Sequence, residues 1–492
     1  MKTKYFILLI ASALLITTIS CKKFLDKQPI STLTEEDYYT STNDVETAVI
    51  GCYAAVRPLY NIEYLMAGLR SDDSYISAAE GDINQIDGFN EATTNSYIAL
   101  YWQDAYFVIK QCNTVLKYLD NVTDPVKKSQ FEGEAKFIRA HMYFNLVRLF
   151  GDVPLVTTSV AYNDASTYPR VIVDSVYKQI EKDFLVASQK LPATPSVAEA
   201  ARVTSYAAQG MLAKVYLTQK KYVEAKVILW DLIQNSGPFQ LLPNYKSIFG
   251  VNNEQNAEIM YSIRFKSFSN GLGNTFSYNM DKQSGSVGFR AASDFRGNTP
   301  FPAADSIRKS QTFLTGGPVY GTSFYCGGKY LDVTAPRNDG GADLIVLRYA
   351  DIIMMYAEVE NEINGNTPLT AADAAIPSSR LYQINRIRTR ASGTNPLAVP
   401  VYVFGSASVN SKANFLKTIK AERRREFGIE NQRWYDLLRW EEAVTVMNVH
   451  FQGRSSPTFT PPVLLPYQSL FPIPQREIDV SGGVIKQNPG YR

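Results

Sequence analysis

Ala421-Glu-Arg-Arg-Arg-Glu-Phe-Gly-Ile-Glu-Asn-Gln-Arg-Trp-Tyr-Asp-Leu-Leu-Arg-Trp440 sets arginines, carboxylates and aromatic rings side by side near the C-terminus. Helix formers dominate it, and Trp434, Leu437 and Leu438 recur at i, i+3 and i+4, one face of a helix. Around them stand Glu422, Arg423, Arg424, Arg425, Glu426, Phe427, Glu430, Arg433, Asp436 and Arg439, at spacings that permit acid–arginine pairing along a helix. A guanidinium carries five donors in a fixed fork, so it ties several carboxylates at once while aromatic rings pack along its stem. Such a run is either a solvated, salt-bridged face or a partly buried knot. The rings among the charges and a helix break at Gly428 favour the knot. Under both readings these residues are architectural, not catalytic.

Working outward, further segments stand out: Gly151-Asp-Val-Pro-Leu155, the run from Leu347 to Asn361, Asn385-Arg-Ile-Arg-Thr-Arg-Ala391, Phe471-Pro-Ile-Pro-Gln-Arg-Glu-Ile478 and Gln487-Asn-Pro-Gly-Tyr491. Together with 421–440, and in this order, they resemble the SusD/RagB family of surface nutrient-binding lipoproteins, over essentially the whole mature chain. The resemblance implies a mainly α fold, a tetratricopeptide-like superhelix of helical pairs packed against an irregular, loop-rich region. It implies four such pairs, one of them built from the helices of Leu347–Asn361 and Leu381–Ala391. It also implies a non-enzymatic role without cofactor: binding an oligosaccharide and passing it, as a hinged lid, to a SusC-like TonB-dependent transporter of the outer membrane. The alternative within the family is a peptide-binding, RagB-like uptake protein.

With 492 residues, 45% of them apolar and 20% charged, the chain has the composition of a globular protein with a large core. Fifty basic against 47 acidic residues leave a formal charge of +3, which provides no field for nucleic acid. The N-terminus reads as an export signal over residues 1–20: Lys2 and Lys4, an apolar run from Tyr5 to Ile16, then Thr-Ile-Ser before Cys21. This resembles a lipoprotein signal, with Cys21 as the lipid-attachment residue and an outer-membrane, surface-exposed location as the outcome. Thr18 departs from the usual Leu. Cys52, Cys112 and Cys326 call for no disulfide framework, and Cys112 sits on an apolar stripe as a small hydrophobe.

Residues 21–235 read as helix pairs. Apolar positions from Ile98 to Leu119 keep a helical period, with Trp102 on the core stripe. Asp120 to Pro125 stops that helix, and Pro125 opens the next in its first turn. The helix around Phe131 to Leu149 is apolar on several faces and so is buried widely. A third pair spans Ala207 to Ile233, where Leu212-Ala-Lys-Val-Tyr216 and Tyr222-Val-Glu-Ala225 resemble the two helices of a tetratricopeptide repeat.

Residues 236–492 form the second region, loop-rich over 236–344 and helical after it, packed with the first as one globule. In 236–344, and in the shorter loop 71–95, helical period gives way to Gly, Ser, Asn and Asp with isolated aromatic residues. Irregular segments of this length carry function. A sugar offers C–H faces to aromatic rings and hydroxyls to amides and carboxylates. The candidate ligand residues are therefore Asp73, Tyr75, Asn90, Tyr278, Phe289, Phe295, Tyr320, Phe324 and Tyr325.

No HExxH, CxxC, phosphate loop or GxSxG occurs. His141, beside Phe137 and Phe144 on a helix, reads as a core histidine. Asn338 to Asp343 reads as a Gly-rich turn, with calcium coordination as its rival. No pair of carboxylates singles itself out as the acid and base of a glycosidase.

Overall fold

The computed structural model describes residues 35–491, apart from 77–80, 161–166, 195–199, 270, 281–288, 297–300, 302–304, 316–325, 337, 394–398 and 455–461, and apart from the side chains of Tyr278 and Met280. Its body is a succession of long helices: α1 Thr42–Glu63, α2 Ser96–Lys117, α3 Pro125–Phe150, α4 Val173–Lys190, α5 Ser205–Thr218, α6 Tyr222–Gln234, α7 Tyr349–Asn364, α8 Arg380–Ala391 and α9 Lys412–Phe427. Two shorter helices follow, α10 Arg433–Arg439 and α11 Ala443–Gly453. From α1 to α6 each helix packs on the next in sequence, and α7 packs on α6, α8 and α9. The fold is thus mainly α, with helical hairpins in series.

Local chemistry sets the helix boundaries. Asn95 caps α2 by accepting from the N–H groups of Tyr97 and Ile98, and Asp124 caps α3 ahead of Pro125 in its first turn. Ser41 and Asp44 form a capping box at α1. α3 is buried around most of its circumference, as its all-round apolarity requires. On it, His141 receives or gives hydrogen bonds at Tyr60 Oη (2.8 Å) and Tyr261 Oη (3.2 Å). Burial pulls its imidazolium down to about 3, so it stays neutral as a core residue. Trp102, Cys52, Cys112 and Cys326 are likewise buried.

The run beginning at Leu347 differs from expectation. Leu347 and Arg348 end a strand, and the helix starts at Tyr349. The strands, in chain order, are β1 Ser74–Ile76, β2 Val153–Pro154, β3 Arg170–Val171, β4 Ile259–Ile263, β5 Phe289–Ala291 and β6 Leu344–Arg348, joined as the antiparallel pairs β1–β5, β2–β3 and β4–β6. β6 is buried along its whole length. It lies so close to α5 that a Cβ on Gly210 would stand 2.6 Å from the Leu347 side chain.

The 421–440 stretch is a buried knot, but its ion pairs run mostly between elements instead of along one helix. Only Arg425–Glu422 and Arg439–Asp436 follow the i, i+3 spacing. Glu426 meets Arg348 (2.7 Å), Arg308 (3.2 Å) and Arg390, and Glu422 meets Arg308 (2.7 Å) and Arg388 (2.9 Å). Arg348 also reaches Glu258 (2.8 Å) and Glu430 (2.9 Å). Burial opposes the charge of Glu426, but Arg390, Arg348 and Arg308 outweigh it and hold the carboxyl at about 2. Glu63, at the end of α1, accepts from Tyr101 Oη (2.6 Å) and Tyr435 Oη (2.7 Å), tying the first helices to α10.

Arg348→Ala leaves Glu258, Glu426 and Glu430, all buried, short of a cation. The expected loss is about 3–5 kcal/mol. Arg386→Ala, on the half-buried face of α8, is expected to cost less than about 1 kcal/mol. Denaturant midpoints measure both, and equal midpoints would contradict the burial argument.

Candidate functional site

Consecutive residues on a helix are separated by about 100°, so Arg423, Arg424 and Arg425 on α9 leave it in three directions. Arg423 goes to Asp351 (2.7 Å) and Asp436 (2.9 Å), and Arg425 to Glu422 and the Tyr402 hydroxyl. Arg424 goes toward the loop-rich side, where Nε meets Asp73 (2.8 Å) and Nη2 meets Asp294 (3.1 Å). Beside it Arg433, on α10, holds Asp72 bidentately at 2.7 and 2.9 Å. These pairs pin the chain just before β1, and β1 in turn pairs with β5 as Ser74–Ala291, Tyr75–Arg290 and Ile76–Phe289.

α1 prepares this arrangement by continuing into a buried π-helical turn, Tyr64–Gly68. Leu69 N–H donates to Tyr64 O, and the chain then turns out through Ser71 to Asp73. The adjacent carboxyls of Asp72 and Asp73 split. Burial works against both charges, but Arg424 and Arg433 hold Asp72 well below the usual range. Burial wins at Asp73, which is raised.

The expected ligand residues divide. Asp73, Tyr75, Phe289 and Phe295 are brought into this one neighbourhood, but three of them are not available to a ligand. Asp73 is buried in the Arg424 pair. Phe289 is buried edge-on to Tyr64, with ring centres 4.9 Å apart. Phe295 is 0% exposed and packs on Phe301 (5.3 Å) and Phe313 (5.1 Å), with the Arg424 guanidinium over its face at 4.8 Å. Its ring presses so tightly on Gly428 that a Cβ there would lie 2.3 Å from Phe295 Cζ. These loop aromatics lack sequence period yet find partners in one another, forming a satellite core under the loops.

Tyr75 is half-buried and Asn90 exposed. The Arg454 guanidinium lies over the Tyr75 ring at 4.8 Å and forks onto Asp87 at 3.0 and 2.7 Å. Tyr75 and Arg454 therefore offer a half-buried ring and a guanidinium together, while Asp87 is buried against Arg454 as Asp73 is against Arg424. Arg454 and Asp87 carry no signal in the sequence. The Tyr278 side chain, Tyr320, Phe324, Tyr325 and Cys21 lie outside the described residues. The loop 71–95 is more ordered than expected, containing β1 and the helix Gly81–Gly88.

Among the described residues no cluster of three His, Cys, Asp or Glu side chains is arranged to hold a metal ion. Within 338–343, Asp339 accepts from Phe268 N–H (2.7 Å) and Asp343 from Phe265 N–H (3.0 Å). The segment is a hydrogen-bonded turn. Two open grooves occur away from β1 and β5. One, of about 310 Å³, runs beside β4, and the other, of about 300 Å³, is lined by Trp230, Tyr356 and Glu360 between α6 and α7.

Helical hairpins in series, locked by a buried arginine–carboxylate frame, define a class of helical fold with known members. The family models described as "Starch-binding associating with outer membrane" and "SusD family" match residues 23–217 and 307–491, together more than three quarters of the chain. "SusD-like protein P25" of Formosa agariphila is 26% identical over 97% of this chain and 98% of its own length, and a "SusD-like protein" of Bacteroides ovatus is 26% identical over 89% and 83%. Among solved structures, a "Laminarin binding SusD-like protein" superposes with a TM-score of 0.74 at 22% identity, covering 92% of this chain and 100% of that one. "Surface glycan-binding protein A from Bacteroides fluxus" gives a TM-score of 0.74 at 21% identity, covering 91% and 99%. This chain belongs to the SusD/RagB family.

Phe295→Ala is expected to destabilise the protein by about 3–5 kcal/mol, because it empties the centre of a three-ring cluster. A melting curve indistinguishable from wild type would return Phe295 to the ligand surface.

Proposed function

We propose that the protein binds an oligosaccharide at the cell surface and delivers it, as a hinged lid, to a SusC-like TonB-dependent outer-membrane transporter. In this reading lipid on Cys21 is the anchor, and no bond in the ligand is made or broken. The observation that carries the proposal is the match of residues 23–217 to a family described as starch-binding and associated with the outer membrane. Two structural neighbours named for laminarin or glycan binding support the same ligand class. Among the described residues no helix is long and apolar enough to cross a membrane, and a lipid anchor needs none.

The chemistry of the Tyr75 surface fits this ligand. A pyranose stacks a C–H face on an aromatic ring while its hydroxyls take hydrogen bonds from a guanidinium. The arginine frame supports the surface from behind, so ligand meets positions that are already fixed. The peptide-binding branch of the family is the rival ligand class.

Calorimetric titration against laminarin- and starch-derived oligosaccharides tests the reading. Tyr75→Ala is expected to weaken binding about tenfold, the loss of one stacking contact, with the melting temperature unchanged. Binding of mixed peptides in place of every glycan would move the protein to the peptide branch. For the anchor, Cys21→Ala is expected to yield folded protein in the soluble fraction. Retention with outer membranes in cells lacking the transporter would contradict lipid attachment.

A further inference from the structure

The cysteines among the described residues divide into a pair and a single. All of them stand as buried thiols. Cys52 lies on the buried stripe of α1 between Val49 and Val56, and Cys112 on that of α2 between Val108 and Val115. The two helices pack directly on each other. Cys326 belongs to the loop-rich region, where its N–H donates to Phe289 O (3.0 Å).

Helix register brings the pair together. α1 and α2 run antiparallel, tied at one end by Tyr101 Oη on Glu63 (2.6 Å) and near the other by Thr123 N–H on Thr42 Oγ1 (3.2 Å). Cys52 precedes Glu63 by 11 residues, and Cys112 follows Tyr101 by 11. That spacing is about three turns, so each helix presents the same side again at that distance. Cys52 and Cys112 therefore face each other three turns along from the Glu63–Tyr101 contact. In keeping with this, the Cys112 thiol and then burial push the Cys52 thiol well above the ordinary thiol range. Cys326 lines the same small hollow as Tyr64, which is about 18 Å along the helix from Cys52. A disulfide needs Cα atoms within about 7 Å, so Cys326 is out of reach.

A thiolate is the reactive form of cysteine, and the closed fold suppresses it at Cys52. In the unfolded chain both residues are ordinary, accessible thiols. Their state is therefore set while the chain folds, by the compartment in which it does so.

We propose that Cys52 and Cys112 are joined by a disulfide in the exported protein, stapling α1 to α2. One cysteine thiolate attacks a sulfur of an exchangeable disulfide, carried by a thiol–disulfide oxidant of the export compartment, and displaces one thiol. The second cysteine thiolate attacks the protein sulfur of that mixed disulfide and displaces the other. Two electrons pass from the protein sulfurs to the oxidant, and two protons leave on its thiols. Cys326 stays a thiol. The bond closes a loop of about 60 residues, and it fixes the helix that runs on into the Tyr64–Gly68 turn ahead of Asp72 and Asp73. The inference rests on export of the chain and is independent of what the Tyr75 surface binds.

The test uses full-length protein extracted from outer membranes, with iodoacetamide present through extraction and unfolding in guanidinium chloride. Peptide mass spectrometry is expected to find Cys326 fully alkylated and the Cys52 and Cys112 peptides linked, both taking label only after reduction. In Cys52→Ala, Cys112 is expected to take label without reductant. The wild-type map decides the matter even if that variant fails to fold. Alkylation of Cys52 and Cys112 in the wild type without reductant overturns the proposal, and so does a link from Cys326 to either of them. Recovery of the chain from the cytosol alone would contradict its export, and the inference would fall with it.

Discussion

Everything in this molecule answers to the burial of two glutamates on one helix. Glu422 and Glu426 are both fully buried on α9, and a carboxylate taken out of water needs cations within hydrogen-bond reach. The cations come from segments far apart in sequence: Arg308 from the loop-rich region, Arg348 from the end of β6, and Arg388 and Arg390 from α8. Arg308, Arg348 and Arg390 each bridge more than one acid, so none of their pairs can leave without stranding another. Ion pairs of this kind add little net stability compared with an apolar core of the same shape. What they impose is position, because a guanidinium fork meets a carboxylate in few geometries.

That positional demand explains the route of the chain. β6 must end in extended conformation at Arg348 so that its side chain turns inward, and only then can α7 begin. α9 must stop at Phe427, since the ring of Phe295 occupies the space against Gly428 where a continuing side chain would stand. The series of helical hairpins meets the frame through Glu63, and through Lys214 on α5, which shares Asp351 with Arg423. Hairpins and loops are thereby held by one set of charges.

The frame also settles which loop residues face outward. Arg424 reaches past the helices to draw in Asp72 and Asp73, which commits β1 to its pairing with β5 and turns Phe289 inward. Tyr75, between them, is left partly exposed with Arg454 across its ring. A surface supported in this way loses little freedom when a ligand arrives. β4, by contrast, pairs with β6 on one side and has no strand on the other among the described residues.

Much of this was legible in the sequence. The caps at Asp124 and Pro125, the core stripe bearing Trp102 and Cys112, the neutral His141 and the break at Gly428 all rest on neighbours within a turn or two, where local rules hold. The knot was legible as well, because five arginines beside two tryptophans have few other uses. The partners of those arginines were not, since Arg348 and Glu426 are joined across 78 residues by nothing periodic. The same limit governs the loops. Phe289 and Phe295 stand alone in sequence, and only the tertiary structure gives them Tyr64, Phe301 and Phe313 to pack against. Composition and spacing determined what kinds of contact this chain can make; which residues meet was decided by charges that fold together because none of them can be buried alone.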